Sequence, residues 1–223
     1  MDFTPQTIAA LVVATSFAAG LNVYATILTL GILARFHWVA LPGSLTAVEN
    51  PWVLGAAGVL FLAEFVADKI PGFDLIWNAA HTFIRIPVAA LMAYGASQSL
   101  SPGMHALVTL MAAGVAMAAH GSKLAARGLV TPSPEPVSNI ALSSAEDVGA
   151  IGLTWVAMHH PYVAAGAVAV ALLASVMVIR LAVRGLRSLW ARWFKRRVPQ
   201  DRELSWAGAV EGERAGTDIS RRL

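Results

Sequence analysis

The stretch IAALVVATSFAAGLNVYATILTLGILA, residues 8–34, contains no charged side chain. A transmembrane helix needs about 20 consecutive apolar residues to cross the hydrocarbon core of a bilayer. Because the stretch exceeds this length, the sequence predicts that it forms the first span of an integral membrane protein. The only charge before it is Asp2, so the basic segment of a secretory signal is missing and we expect the span to be retained.

The composition of the whole chain supports the same class of protein. Of its 223 residues, 57% are hydrophobic and 13% are charged, whereas soluble domains carry about 25% charged residues. The chain has no cysteine, which excludes disulfides and thiolate metal sites, and we expect no cofactor. The isoelectric point of about 9.7 reflects a basic block at residues 180–197, so we expect no nucleic-acid partner.

Six apolar segments, separated by turn-forming residues, predict an all-α, polytopic helical membrane protein. The predicted spans are 8–34, 52–68, 76–98, 104–126, 139–158 and 161–183. Ser143 and Glu146 have the spacing of a capping box, which starts helices. The sequence therefore leaves open whether segment 139–158 crosses the membrane fully or re-enters.

The orientation is predicted from the basic residues, because positively charged loops stay in the cytoplasm. Lys69, Lys123 and Arg127 fall in loops on one side of the predicted spans, and Arg35 falls on the other side. With six spans, both termini are expected on the cytoplasmic side of a bacterial inner membrane.

The domain organisation follows from where the apolar segments end. Residues 1–185 are the predicted transmembrane domain. In residues 186–197, apolar and basic side chains alternate at helical spacing, which is typical of an amphipathic helix lying on anionic lipids. Residues 198–223 are polar and mixed in charge, so we expect a disordered tail. The predicted partners are the lipid bilayer and its anionic lipids, and a homo-oligomer is left open.

Two short patterns recur in the chain in the same order. Residues 60–66, LFLAEFV, match residues 142–148, LSSAEDV, at Leu, Ala, Glu and Val, and residues 77–81, WNAAH, match residues 155–159, WVAMH, at Trp, Ala and His. The recurrence predicts an internal duplication, with repeat one at about 8–98 and repeat two at about 104–183. Each copy holds three spans, an odd number, so the prediction is a 3+3 inverted-topology repeat, as in many secondary transporters.

Ionisable residues interrupt the apolar segments, above all in AEFVADKIPGFDLIWNAAH, residues 63–81. A charged side chain in hydrocarbon costs at least about 2.5 kcal/mol, so such residues face the interior of a helix bundle. The candidate substrate- or ion-binding residues are Glu64, Asp68, Asp74, Asn78, His81, Arg85, Asn139, Ser143, Glu146 and Asp147, with Asn22, His120 and Lys123 as supporting polar residues.

Two other interpretations of this polar cluster stay open at the sequence level. Glu64 and Asp68 share a helix face and could form a purely structural ionic cluster with Lys69 and Arg85. A metal site is the other interpretation, since Glu64, Asp74, Asn78 and His81 offer oxygen and imidazole ligands.

Four stretches resemble the bacterial membrane family catalogued as domain of unknown function 4126. They are SFAAGLNVYATILTLGILAR, EFVADKIPGFDLIWNAAHTFIR, TPSPEPVSNIALS and AIGLTW, and the resemblance covers roughly residues 15–157. It implies an integral membrane protein of several helices. It brings no assigned activity and no catalytic residues, so the site residues above are inferred from the chain alone.

The functional expectation is a small inner-membrane transporter or channel for a cation or a proton-coupled solute. Glu64 and Glu146 would be paired carboxylates near the bilayer midplane, and acidic residues at that depth favour a cation over an anion. One alternative is a membrane-embedded enzyme acting on a lipid or isoprenoid substrate, with Asp68, Asp74 and His81 at the cytoplasmic surface. Another is a non-catalytic scaffold, and whether the protein is an enzyme stays open.

Overall fold

The computed structural model describes residues 3–70, 72–130 and 136–197, which form seven α-helices and one 3₁₀ helix without any strand. These are α1 Pro5–Leu21, α2 Val23–Arg35, the 3₁₀ helix Gly43–Glu49, α3 Pro51–Ala67, α4 Phe73–Ala96, α5 Pro102–Val130, α6 Pro136–His159 and α7 Pro161–Arg197. The all-α prediction is confirmed for these residues. Residues up to Ala182 form one compact unit and residues from Val183 a second.

Proline marks the start of most helices. The first residues of α1, α3, α5, α6 and α7 are Pro5, Pro51, Pro102, Pro136 and Pro161. Proline suits this position because its fixed φ fits the helix and its missing N–H would have no partner there. Each of these starts lies within three residues of the start of a predicted segment. The predicted amphipathic segment 186–197 is the end of α7, its binding to anionic lipids stays a prediction, and the predicted tail lies outside the described residues.

The prediction of one continuous span at 8–34 is wrong, because the helix breaks at Asn22. This residue has extended backbone angles, φ −150° and ψ 105°. Its main-chain N–H donates to the Ala18 carbonyl, 2.9 Å away, and so ends α1. Its side-chain oxygen accepts from the N–H of Ala25, 3.0 Å away, and so caps α2.

α1 and α2 form a hairpin whose two free ends lie at the same end of the bundle. At the start of α1, Thr7 hydrogen-bonds the Tyr162 hydroxyl, 3.2 Å away. Just after α2, residues 37–40 line a cavity together with Met158 and His159. We call this the histidine end. The tip of the hairpin, Asn22, is fully buried at the middle of α6.

The hairpin is the central packing element of the bundle, since α1 packs against α4, α5 and α6. Gly20, close to the tip, sets the distance between α1 and α5. A Cβ atom at this position would lie 2.6 Å from the Ala116 carbonyl oxygen and from the Ala119 Cβ. Only glycine therefore permits this approach of the two helices.

Three described helices are long and apolar enough to cross a membrane, namely α4, α5 and residues 161–191 of α7. The 3₁₀ helix and α3, bent by 66° to each other, count as a fourth if they form one span. The protein is therefore a helical membrane protein, but the predicted six spans are not confirmed. α6 runs without a break through Ser143, so a helix start at that residue is wrong.

The inverted repeat is not confirmed either. The first Trp–His pair, Trp77 and His81, lies near the start of α4, whereas the second pair, Trp155 and His159, closes α6. In both pairs the rings pack on each other, with centroids 4.5 and 4.4 Å apart, and the histidine Nδ1 lies 2.8 Å from the tryptophan carbonyl oxygen. The recurrence thus marks the same local pairing at i and i+4 of a helix.

Candidate functional site

Eight buried charged side chains lie together where α3, α4, α5 and α6 meet the hairpin tip. We call them the ion network: Glu64, Asp68, Asp74, Arg85, Lys123, Arg127, Glu146 and Asp147, each at most 7% exposed. The end of the bundle that carries Asp68, Asp74 and Arg127 is called the network end. Seven of the eight were singled out from the sequence as site or supporting residues.

Lys123 on α5 is shared by three carboxylates. Its ammonium lies 2.9 Å from Asp68, 3.2 Å from Glu146 and 3.4 Å from Glu64. The recurring glutamates of the sequence therefore meet across one lysine, although they lie on α3 and α6. An ammonium is a compact point charge that can change partners without a fixed orientation.

Arg127, one helical turn beyond Lys123, is the residue that the sequence reasoning missed as part of the site. Its guanidinium nitrogens lie 2.5 Å from Glu146, 2.9 Å from Asp68 and 3.2 Å from Asp74. The prediction that Lys123 and Arg127 belong to a cytoplasmic loop is wrong, because both are buried within α5. The i, i+4 spacing of two basic residues on an apolar helix was the signal that could have found this pair.

Arg85 on α4 extends the network toward the middle of the bundle. It forms an ion pair with Glu64 and donates to the Nδ1 of His120, 3.0 Å away. The Nε2 of His120 lies 2.8 Å from the Thr82 hydroxyl and 3.1 Å from the Asn78 carbonyl oxygen. Because Nδ1 accepts from Arg85, His120 is the neutral tautomer with its proton on Nε2.

The hairpin tip is held by three side chains of this region. Lys123 donates to the Leu21 carbonyl, 3.1 Å away, and Arg85 donates to the Gly20 carbonyl, 3.5 Å away. These carbonyls end α1, where the helix dipole attracts positive charge. The Asn22 amide donates to one oxygen of Asp147 on α6, 2.8 Å away.

Asn78 and Asn139 position Asp68, the carboxylate with most partners. The amide of Asn78 donates to the Asp68 carboxylate, 2.7 Å away, and that of Asn139 donates to the Asp68 main-chain oxygen, 3.1 Å away. Both asparagines were predicted site residues. Ser143, the next predicted residue along α6, is fully buried.

Two residues of the first polar stretch stand apart from the ion pairs that the described residues form. His81 hydrogen-bonds its own helix at Trp77 and meets the edge of Tyr24, with ring centroids 5.8 Å apart. Lys69 lies over the Phe65 ring and donates to the Phe65 carbonyl, 3.1 Å away. An ionic cluster with Arg85 is thus present, but its other cations are Lys123 and Arg127 and not Lys69.

The ion network changes the pKa values of Asp68 and Lys69 in the turn after α3. Burial by itself raises the pKa of Asp68, but Lys123 and Arg127 reverse this, so the pKa lies below its ordinary value. The stability that Asp68 contributes is therefore full above the ordinary pKa of an aspartate and is lost as the pH falls through the lowered value. At Lys69, burial lowers the pKa, and Asp147 and Asp68 oppose the shift.

The network carries more negative than positive charge. Among the described residues, five carboxylates, those of Glu64, Asp68, Asp74, Glu146 and Asp147, face the three cations Arg85, Lys123 and Arg127. With every group ionised, two negative charges are left over. The described residues contain no group of three or more His, Cys, Asp or Glu side chains placed to hold a metal ion. Glu64 and Asp74 bind arginines instead.

The chain was compared with protein families, with curated proteins and with solved structures. The model of the family described as Domain of unknown function (DUF4126) matches residues 9–181, so the chain belongs to this family. No curated protein and no solved structure matches.

Proposed function

We propose that this member of the DUF4126 family is a small inner-membrane transporter or channel for a cation or a proton-coupled solute. The observation that carries the proposal is that, among the described residues, the buried ion network holds five carboxylates and three cations. An uncompensated buried charge costs several kcal/mol. A network with this excess favours the entry of positive charge and rejects anions.

Lys123 gives the network a way to accept a cation. Its ammonium is divided among Glu64, Asp68 and Glu146 at 2.9 to 3.4 Å. A cation that binds one of these carboxylates displaces the Lys123 ammonium from it. The ammonium then keeps its ion pairs with the other two carboxylates. Glu64 and Glu146 also have arginine partners, so either carboxylate stays paired while the lysine moves.

The α1–α2 hairpin is the element that would respond. Its tip is bonded to Lys123, Arg85 and Asp147, so a change in the pairing of Lys123 acts directly on Leu21. Broken helices that end inside the membrane are the usual ion-binding elements of secondary transporters. Open cavities of about 460 and 490 Å³ flank the base of the hairpin at the histidine end.

The proposed orientation places the network end in the cytoplasm. Lys69 lies at this end, and α7 approaches it toward Arg180, because Ile179 lies against Gly121 of α5. Positive residues favour the cytoplasmic side. Since the hairpin returns to the histidine end, the start of α1 then faces the extracytoplasmic side. This differs from the expectation of two cytoplasmic termini, which depended on residues 8–34 being one span.

The proposal is tested by reconstituting the full chain in liposomes and measuring ion and proton flux across an imposed gradient. We expect Glu64→Gln and Glu146→Gln each to lower the flux by tenfold or more, because each removes a charge that attracts the cation. Glu49→Gln is the matched control, since Glu49 lies outside the network in the 3₁₀ helix. Gel filtration of each variant in detergent verifies that it is folded.

The alternative of a scaffold with a purely structural network predicts a different result. Wild type and all three variants would then show the same flux as empty liposomes, while Glu64→Gln and Glu146→Gln would still lower stability. Equal and substantial flux in wild type and both network variants would instead remove the carboxylates from the pathway.

A further inference from the structure

Asp147 differs from the other four carboxylates of the ion network in having no cationic partner. Among the described residues, Glu64, Asp68, Asp74 and Glu146 each lie within an ion pair, and Asp147 lies in none. It is 5% exposed. One of its oxygens accepts from the Asn22 amide, and the other, Oδ2, has no hydrogen-bond partner among the described residues.

Two more unpartnered oxygens lie on the same face of α6. Asn139 and Ser143 precede Asp147 by two turns and one turn, and residues four apart in a helix share a face. Asn139 is 2% exposed and Ser143 is fully buried. The Asn139 Oδ1 and the Ser143 Oγ, like the Asp147 Oδ2, find no hydrogen-bond partner in the described part of the chain.

This row of oxygens is unusual because buried polar atoms are nearly always hydrogen-bonded. Three exceptions at four-residue intervals on one helix face form a line of about 12 Å, at 1.5 Å per residue. The line begins at the network end, where Asn139 binds the Asp68 main chain and the neighbouring Val137 is 71% exposed. It ends at the hairpin tip, at the bond between Asp147 and Asn22.

We infer that this face of α6 is a binding path for one hard monovalent cation, a proton or a sodium ion, and that Asp147 is its terminal carboxylate. Carboxylate, amide and hydroxyl oxygens are ligands for hard cations and not for soft metals. A cation or proton on Asp147 neutralises a carboxylate that forms no ion pair with the described residues. The inference deepens the proposed function, on which it rests, because it narrows the cation to a proton or a sodium ion and names the residue that holds it.

Burial acts most strongly on the ionisation of the Asp147 carboxyl group, and the charges around it act in addition. Lys123 on α5 favours the carboxylate, as does Lys69 in the turn after α3, whereas Glu64 and Asp68 favour the neutral acid. The Asn22 amide donates to Asp147 and favours the carboxylate as well. Asp147 therefore exchanges a positive charge with the path while the surrounding ion pairs stay formed.

Infrared spectroscopy of the purified full chain tests the inference without relying on transport. The carbonyl band of protonated carboxyl groups is followed over a pH titration in sodium-free buffer, and again with NaCl or with choline chloride of equal concentration. We expect a band that titrates in wild type and is missing in Asp147→Asn. Loss of that band on adding NaCl alone identifies sodium, and loss with rising pH alone identifies the proton.

The path along α6 is tested by one further pair of variants. Ser143→Ala removes one of the three oxygens. We expect the proton or NaCl concentration at the midpoint of the titration to change by about tenfold. Ser144→Ala is the matched control, because Ser144 lies next to it on another face. Equal half-points for both variants overturn the path.

The role of Asp147 is overturned if wild type and Asp147→Asn have the same titrating bands with and without NaCl. This outcome is distinct from failure of the proposed function. If Asp147 binds a cation but liposomes show no flux, transport fails and the binding site stands. If flux occurs while no band of Asp147 responds to pH or to NaCl, the inference fails and transport stands.

Discussion

The two ends of the helix bundle differ in the burial and ion pairing of their charged side chains. At the network end, Asp68, Asp74 and Arg127 are at most 1% exposed and all take part in ion pairs. At the histidine end, Arg35 is exposed and donates to the Glu49 carbonyl, 3.4 Å away, without an ion pair to any described residue. Water can satisfy the polar groups of an exposed end, whereas a buried charge must find its partners within the protein.

The comparison shows what the hairpin does for the fold. Its base lies among the open cavities of the histidine end, and its tip supplies carbonyl oxygens and the Asn22 amide to the network. A single straight helix would have satisfied these carbonyls within itself. The break at Asn22 therefore joins the two ends of the bundle and gives Lys123, Arg85 and Asp147 hydrogen-bond partners at the hairpin tip.

The largest expected effect concerns which side of the membrane each end faces. Because the chain has no cysteine, single cysteines can be placed at Gln6, Trp38 and Ile70, all exposed. With a hairpin, Gln6→Cys and Trp38→Cys react with an impermeant maleimide in intact cells, and Ile70→Cys reacts only after permeabilisation. Labelling of Gln6→Cys and Trp38→Cys from opposite sides would contradict the hairpin and show that residues 8–34 cross the membrane as one span.

The next effect is on stability, and it compares one arginine from each end. Arg127→Met removes the ion pairs of Arg127 with Asp68, Asp74 and Glu146, and breaking buried pairs of this kind costs about 3–5 kcal/mol. Arg35→Met, at the exposed end, should change stability by less than about 1 kcal/mol. The free energy of unfolding is measured by circular dichroism in mixed detergent micelles. Similar losses in the two variants would contradict the difference between the ends.

A smaller effect is expected where α1 approaches α5. Gly20→Ala places a Cβ 2.6 Å from Ala116 and Ala119, and overpacking of this kind costs about 1–3 kcal/mol. Gly114→Ala on α5 is the matched control, because a Cβ there meets no atom within 4 Å. The same unfolding measurement should show no loss for the control. A neutral Gly20→Ala would mean that the two helices can separate freely.

The smallest effect compares two asparagine caps. Asn50→Ala removes the cap of α3, where the side chain accepts from the Trp52 N–H, at a cost of about 1 kcal/mol. Asn22→Ala removes the cap of α2 and also the bond to Asp147, so we expect a loss larger by about 1 kcal/mol. The difference between the two variants isolates the Asp147 bond. Equal losses would show that this bond contributes nothing to stability.

Much of the site was accessible from the sequence because charge in an apolar chain is conspicuous. Glu64, Arg85 and Asp147 stand out where hydrophobic residues surround them, and burial follows from the cost of a charge in hydrocarbon. Arg127 was missed because a basic residue near a predicted helix end looks like a cytoplasmic anchor. Its burial depends on Asp74 and Glu146, which are 53 and 19 residues away in the chain.

The break at Asn22 shows the same limit in the backbone. Gly20 followed by Asn22 is a helix stop and start signal, but an uninterrupted apolar stretch outweighed it. Hydropathy is a sum over residues and does not register one residue whose side chain replaces a helical hydrogen bond. The break is held by the bond to Asp147, 125 residues away, which no local pattern contains.

By itself, the sequence determined that this is a membrane protein, where most of its helices begin and end, and which charged side chains cannot face lipid. These depend on composition, on proline at helix starts and on the cost of moving a charge into hydrocarbon, all of which are local. Only the tertiary structure decided that α1 and α2 turn back as a hairpin, that one lysine serves both recurring glutamates and that Asp147 forms no ion pair with any described residue. Those outcomes depend on which distant groups come within hydrogen-bond distance, and packing alone sets that.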